Sequence, residues 1–76
     1  AKRGMNDMAA GTLQKALDKK EIMDDEKMDL HYQLGCVLDS MDRTEESIKQ
    51  FKLIYERDIG YRDVADRVDA YYASLG

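Results

Sequence analysis

Few side chains in this sequence are able to do chemistry, and their spacing limits what they can do. His31 is the only imidazole and Cys36 the only thiol. Acid–base work by His31 needs an oriented carboxylate partner, and neither Asp29 nor Asp39 is spaced to share its helical face. Cys36 follows five residues later, about 140° around a helix, so the two do not form a ligand pair. One Cys and one His also fall short of a zinc set. An activated thiol needs a neighbouring cation; none is evident, so Cys36 is expected to be a small, half-buried hydrophobe. Carboxylates are plentiful, at Asp24, Asp25, Glu26, Asp29, Asp39, Asp42, Glu45 and Glu46. None follows the acidic order of a calcium loop before its central Gly. They read as helix caps and solvated faces, because a hydrolytic pair needs a cleft to hold it. Lys15, Lys19, Lys20, Lys49 and Lys52 are spread over two helices without interleaved aromatics, which gives no surface for nucleic acid. Met5, Met8, Met23, Met28 and Met41 have the flexibility of an adaptable surface, but some of them are more simply core. The expectation is a chain with no catalytic activity, no cofactor and no metal.

Composition narrows the elements that hold these residues. A chain of 76 residues carries one small core. A single Cys closes no internal disulfide, so stability must come from helix packing or from a neighbouring chain. Proline is absent, and charged residues at 37% stand beside 43% hydrophobic ones, a helical rather than a β or disordered balance. The net charge of −4 disfavours duplex DNA and anionic membranes, and no apolar run is long enough to span a bilayer. No signal peptide is evident. The opening Ala1-Lys2-Arg3-Gly4 reads as the middle of a longer, cytoplasmic chain.

The 3.6-residue period predicts four helices, over 8–20, 25–41, 44–57 and from 62 onward. Their apolar positions include Ala9, Leu13, Ala16 and Leu17; Met28, Leu30, Leu34 and Leu38; Ile48, Phe51 and Ile54; and Val64, Val68, Tyr71, Tyr72 and Leu75. Residues 1–7 have little to pack against and are expected to be disordered. Asp24 and Asp25 put negative charge at the start of the second helix. Asp42 followed by Glu45 predicts a capping box for the third, and Gly60 is expected in the left-handed conformation that closes it. Short connections make neighbouring helices antiparallel.

An internal echo runs through the chain. Leu30 and Val64, Leu34 and Val68, and Leu38 and Tyr72 each lie 34 residues apart. Ala9, Leu13 and Ala16 lie 38 before Ser47, Phe51 and Ile54, and a four-residue insertion near Glu21–Asp24 reconciles the two offsets. Leu30-His31-Tyr32-Gln33-Leu34-Gly35, followed by Leu38, Ser47, Phe51 and a break at Ile59-Gly60, resembles a tetratricopeptide repeat. The resemblance covers 29–59 within a repeat over 25–59. It makes 8–22 similar to the second helix of a partial repeat, and 61–75 similar to a capping helix. It implies an all-α fold in which antiparallel hairpins stack as a short right-handed solenoid over 8–76, with Leu34, Gly35, Leu38, Ser47, Phe51, Ile54, Val68 and Tyr72 at structural positions. Gly35 and Ser47 would let two helices approach, with Phe51 filling the gap. His31 stands where Trp is usual, Asp42 where Gly is common, Ile54 where Ala is usual and Ile59 where Pro is usual. The bulk of Ile54 implies a looser or reoriented contact with the fourth helix. Asp69, at the place of Gly35, would obstruct a further helix.

The same resemblance implies a non-catalytic scaffold or adaptor that takes a peptide or partner helix on its concave face. The lining positions fall on Asp29, Tyr32, Cys36, Asp39 and Ser40, then on Asp63, Asp66, Ala70 and Ser74. Family members that clamp a terminal carboxylate use Lys and Asn where this chain has Tyr32 and Cys36, so a basic or amphipathic segment is the expected ligand, with Tyr32 as its anchor and the acids steering encounter. The first helix is expected to leave an apolar strip open and to favour weak self-association. An alternative starts from Asp39-Ser40-Met41, which resembles the Asp-Ser-Leu motif of acyl carrier proteins. There the Ser begins a helix and carries phosphopantetheine, whereas Ser40 is expected at the end of one.

Overall fold

A computed structural model describes residues 2–76, with side chains from residue 4 on, and these fold into four α-helices: α1 Lys2–Asp18, α2 Asp25–Ser40, α3 Thr44–Arg57 and α4 Val64–Leu75. Helix α1 starts well before the expected residue 8, so 2–7 are helical rather than disordered; Ala1 lies outside the described residues. Burial does not account for the extension, since Met5 and Met8 stay exposed. Gly4 and Gly11 face open space, and Asn6 Nδ2 donates to Ser40 Oγ at 3.3 Å, tying this turn to the end of α2.

Asp24 caps α2 as the sequence predicts, its carboxylate accepting the Lys27 N–H at 2.8 Å, with Asp25 and Glu26 in the first turn. The predicted capping box does not form. Asp42 instead sits just past the end of α2 in the left-handed region, at φ 61°. Its N–H donates to the Asp39 carbonyl, and the Arg43 N–H donates to the Leu38 carbonyl. These two bonds make a Schellman closure, so Asp42 does the work of the Gly common at this place. Arg43 then precedes α3 without a side-chain cap and pairs with Glu46.

The close of α3 also differs from expectation. Asp58 is extended, and its Oδ1 accepts the Gly60 N–H at 3.0 Å, so the carboxylate turns the chain. No glycine has positive φ among the described residues; the left-handed position in this connection is Arg62, at φ 44°.

Among the described residues, close backbone packing runs between sequence neighbours, α1 on α2, α2 on α3 and α3 on α4, while α2 and α4 meet through side chains. The Cα extents, 32 × 31 × 15 Å, describe an open slab rather than a bundle in which α4 returns to α1. The core divides accordingly. Leu30, Leu34 and Leu38 of α2 meet Ala10, Leu13 and Leu17 of α1. Met28, Tyr32 and Cys36 meet Ile48, Phe51 and Ile54 of α3, with Val64 and Val68 of α4 beyond. Four-residue spacing gives α2 both stripes, one for each neighbour.

Gly35 stands where α2 crosses α3. A Cβ there would lie 2.7 Å from the Phe51 ring, so the glycine makes room for that side chain more than for a backbone. Ser47 Oγ, fully buried, donates to the Gly35 carbonyl at 2.6 Å. Ile54 makes no loose contact: it is wholly buried and clusters with Val64 and Val68. Tyr72 is not the buried counterpart of Leu38, because it is 46% exposed and lies beneath the Lys52 ammonium instead. Asp69 is exposed on α4.

Candidate functional site

The residues expected to line a concave face come from α2, from Asp63 at the start of α4 and from α4 itself, and part of them converge. Asp29, Tyr32 and Cys36 project along one side of α2 at helical spacing and are half-buried. The Tyr32 hydroxyl donates to Asp63 Oδ1 at 2.6 Å, joining α2 to the residue that starts α4. The Tyr32 ring stands edge-on to Phe51 at 5.5 Å and to Tyr61 at 6.3 Å. Cys36 packs against the same core.

Two arginines complete the site, and neither was expected there. Arg67, one helical turn after Asp63, donates from Nε to Asp63 Oδ2 at 3.0 Å. Its guanidinium lies 5.0 Å from the Phe51 centroid and 5.7 Å from that of Tyr32. Arg62 donates to Asp29 Oδ1 at 3.0 Å and lies 5.0 Å over Tyr32 and 5.5 Å over Tyr61. The Asp63–Arg67 spacing was open to view in the sequence, as an i,i+4 pair. The Arg62–Asp29 contact spans 33 residues and follows from the turn geometry alone.

The bond from Tyr32, helped by the charge of and bond from Arg67, holds the Asp63 carboxyl below its usual range against the opposing effect of burial. The same bond, with burial added, pushes the Tyr32 phenol up. Asp29 and Asp63 are thus offset by Arg62 and Arg67, and only Asp39 and Asp66 of the four expected acids stay exposed without such pairing. Beside this cluster a shallow groove of about 290 Å³ runs between α3 and α4, floored by Ile48, Phe51 and Tyr71 and edged by Asp39, Ala70 and Ser74.

The remaining candidates lie elsewhere. His31 is buried on another side of α2, its Nδ1 donating to the Gln50 Oε1 at 2.7 Å, so its partner is an amide and not a carboxylate. Ser40 closes α2, its hydroxyl donating to the Val37 carbonyl at 2.7 Å, away from the helix start that the carrier-protein resemblance requires. Among the described residues no group of His, Cys, Asp and Glu could hold a metal ion, and no helix is long and apolar enough to cross a membrane.

Comparison with protein-family models, with curated proteins and with solved structures returned no match. The tetratricopeptide resemblance rests on the residues of α2 and α3 themselves.

Proposed function

We propose that this chain is a non-catalytic protein-interaction module of tetratricopeptide type, a scaffold or adaptor that docks a peptide or partner helix on the face shared by α2 and α4. The observation that carries the reading is the convergence of Asp29, Tyr32 and Cys36 with Asp63 and Arg67 on one face. The open slab supports it, because helices whose backbones pack closely against sequence neighbours leave a continuous face for another chain. Tyr32 is a suitable anchor: an aromatic ring held by Phe51 and Tyr61 loses little freedom on binding. Exposed Asp39 and Asp66 bias the face toward a basic or amphipathic segment.

Titration of isotope-labelled protein with matched Lys/Arg-rich and Asp/Glu-rich peptides tests the reading. The expected result is salt-sensitive amide shifts around Tyr32 and Asp66 with the basic peptide alone. Binding of the acidic peptide, or shifts confined to α1 and α3, would overturn it.

A further inference from the structure

Arg62 is an unusual residue to find at a turn of this kind. It occupies the left-handed region at φ 44°, which costs a non-glycine residue conformational energy. Its side chain spans from the α3–α4 connection to α2, where it holds Asp29 at 3.0 Å. The guanidinium lies over two tyrosine rings at once, at 5.0 and 5.5 Å. Yet it remains 55% exposed, so it fills no core position. Arg67 also lies near two rings, Phe51 and Tyr32, but it is rooted in α4, paired with its own helix neighbour and less exposed.

Two aromatic rings and a carboxylate around one planar cation are the contacts that recognise an arginine from another molecule. We propose that Asp29, Tyr32 and Tyr61 form a receptor for a single arginine side chain of a partner protein, and that Arg62 occupies this receptor in cis until the partner displaces it. The proposal deepens the docking reading given above and rests on it. Chemistry favours arginine over lysine, since a broad guanidinium with several directed donors reaches both rings, which are inclined at 61°, while donating to the carboxylate, and a compact ammonium does not. Displacement is feasible because the resident contact is weak: an exposed cation–π pair and a surface ion pair are each worth little. Occupancy by Arg62 therefore weakens the apparent affinity for a partner arginine by the inverse of the fraction of time the receptor stands open.

The test uses the full chain and its variants Arg62→Gly and Arg62→Asn, both residues that tolerate the left-handed backbone. The probes are a Gly/Ser peptide with one central arginine and the same peptide with lysine, followed by amide and tyrosine-ring shifts. Removal of the resident guanidinium is expected to raise affinity for the arginine peptide about tenfold, with shifts centred on Asp29, Tyr32 and Tyr61. Asp29→Asn added to Arg62→Gly should abolish that gain, and the lysine peptide should gain less. Equal affinity of wild type and both variants at this face would overturn cis occupancy while leaving the docking reading intact. No binding of any form at this face, by these or by the basic peptides above, would overturn both.

Discussion

A Cβ on Gly35 would come within 2.7 Å of the Phe51 ring, and Phe51 is itself only 1% exposed. Gly35→Ala gains helix propensity of roughly 1 kcal/mol but overpacks the α2–α3 crossing at a cost of about 1–3 kcal/mol. Net destabilisation is expected. Gly11→Ala in α1 meets nothing within 4 Å and should instead stabilise, by about 0.5–1 kcal/mol. Urea titration of the two variants should give midpoint changes of opposite sign; equal signs would show that Gly35 is not sterically required.

Phe51→Ala should cost about 3–5 kcal/mol, as for other large aromatic truncations in cores, and a domain of this size has little more than that to lose. The double variant with Gly35→Ala should be less destabilised than the two single effects combined, since the methyl then enters the space the ring vacates. A melting change of a degree or two for Phe51→Ala would refute the helix pairing described here.

Asp42→Gly should stabilise by about 1 kcal/mol, because the left-handed position after α2 then carries no side-chain penalty. Glu45→Ala should change stability very little, as no capping box exists for it to break. Thermal melts of both variants distinguish a helix-ending role for Asp42 from a helix-starting one.

The Tyr32–Asp63 bond should be visible in the pH dependence of stability at both ends. The Asp63 carboxyl is held below 3.8, so its contribution is fully present above that value and is lost as pH falls through the lower folded pKa. The Tyr32 phenol is held above 10.0, so its contribution is fully present below that value and is lost as pH rises through the higher folded pKa. Tyr32→Phe removes the bond and should flatten both limbs together in melts recorded across pH. Asp63→Asn should remove the acid limb and allow Tyr32 to ionise earlier, read from phenolate absorbance. An unchanged acid limb in either variant would disprove the coupling.

What the sequence made legible was what depends on spacing within a helix. Leu34, Gly35 and Leu38, with Ser47 and Phe51 on the next helix, are set by the 3.6-residue period and by the need for a small residue opposite a large one, and all five are buried. The ends of helices were harder. Asp serves equally as an N-cap and as a tolerated left-handed residue, and Asp42 took the second role where the first was expected. Asp58 turned the chain through its carboxylate, which relieved Gly60 of positive φ and moved that conformation to Arg62. The candidate site was half legible for the same reason. Tyr32 and the aspartates follow helical spacing, but the arginine over Tyr32 depends on a turn whose path no periodicity records.

The division of the core between the two sides of α2 makes the chain two units in sequence rather than one. Helix α1 is held by Leu17 and its neighbours against Leu34 and Leu38, and shares no buried cluster with α3 or α4. Opening of α1 therefore leaves the Phe51 cluster whole, and amide protons of α1 should exchange with solvent ahead of those in α3. Such an opening also bares Leu34 and Leu38 as a ready-made seat. Exchange of α1 between two copies of the chain then costs only the contacts that it restores on arrival.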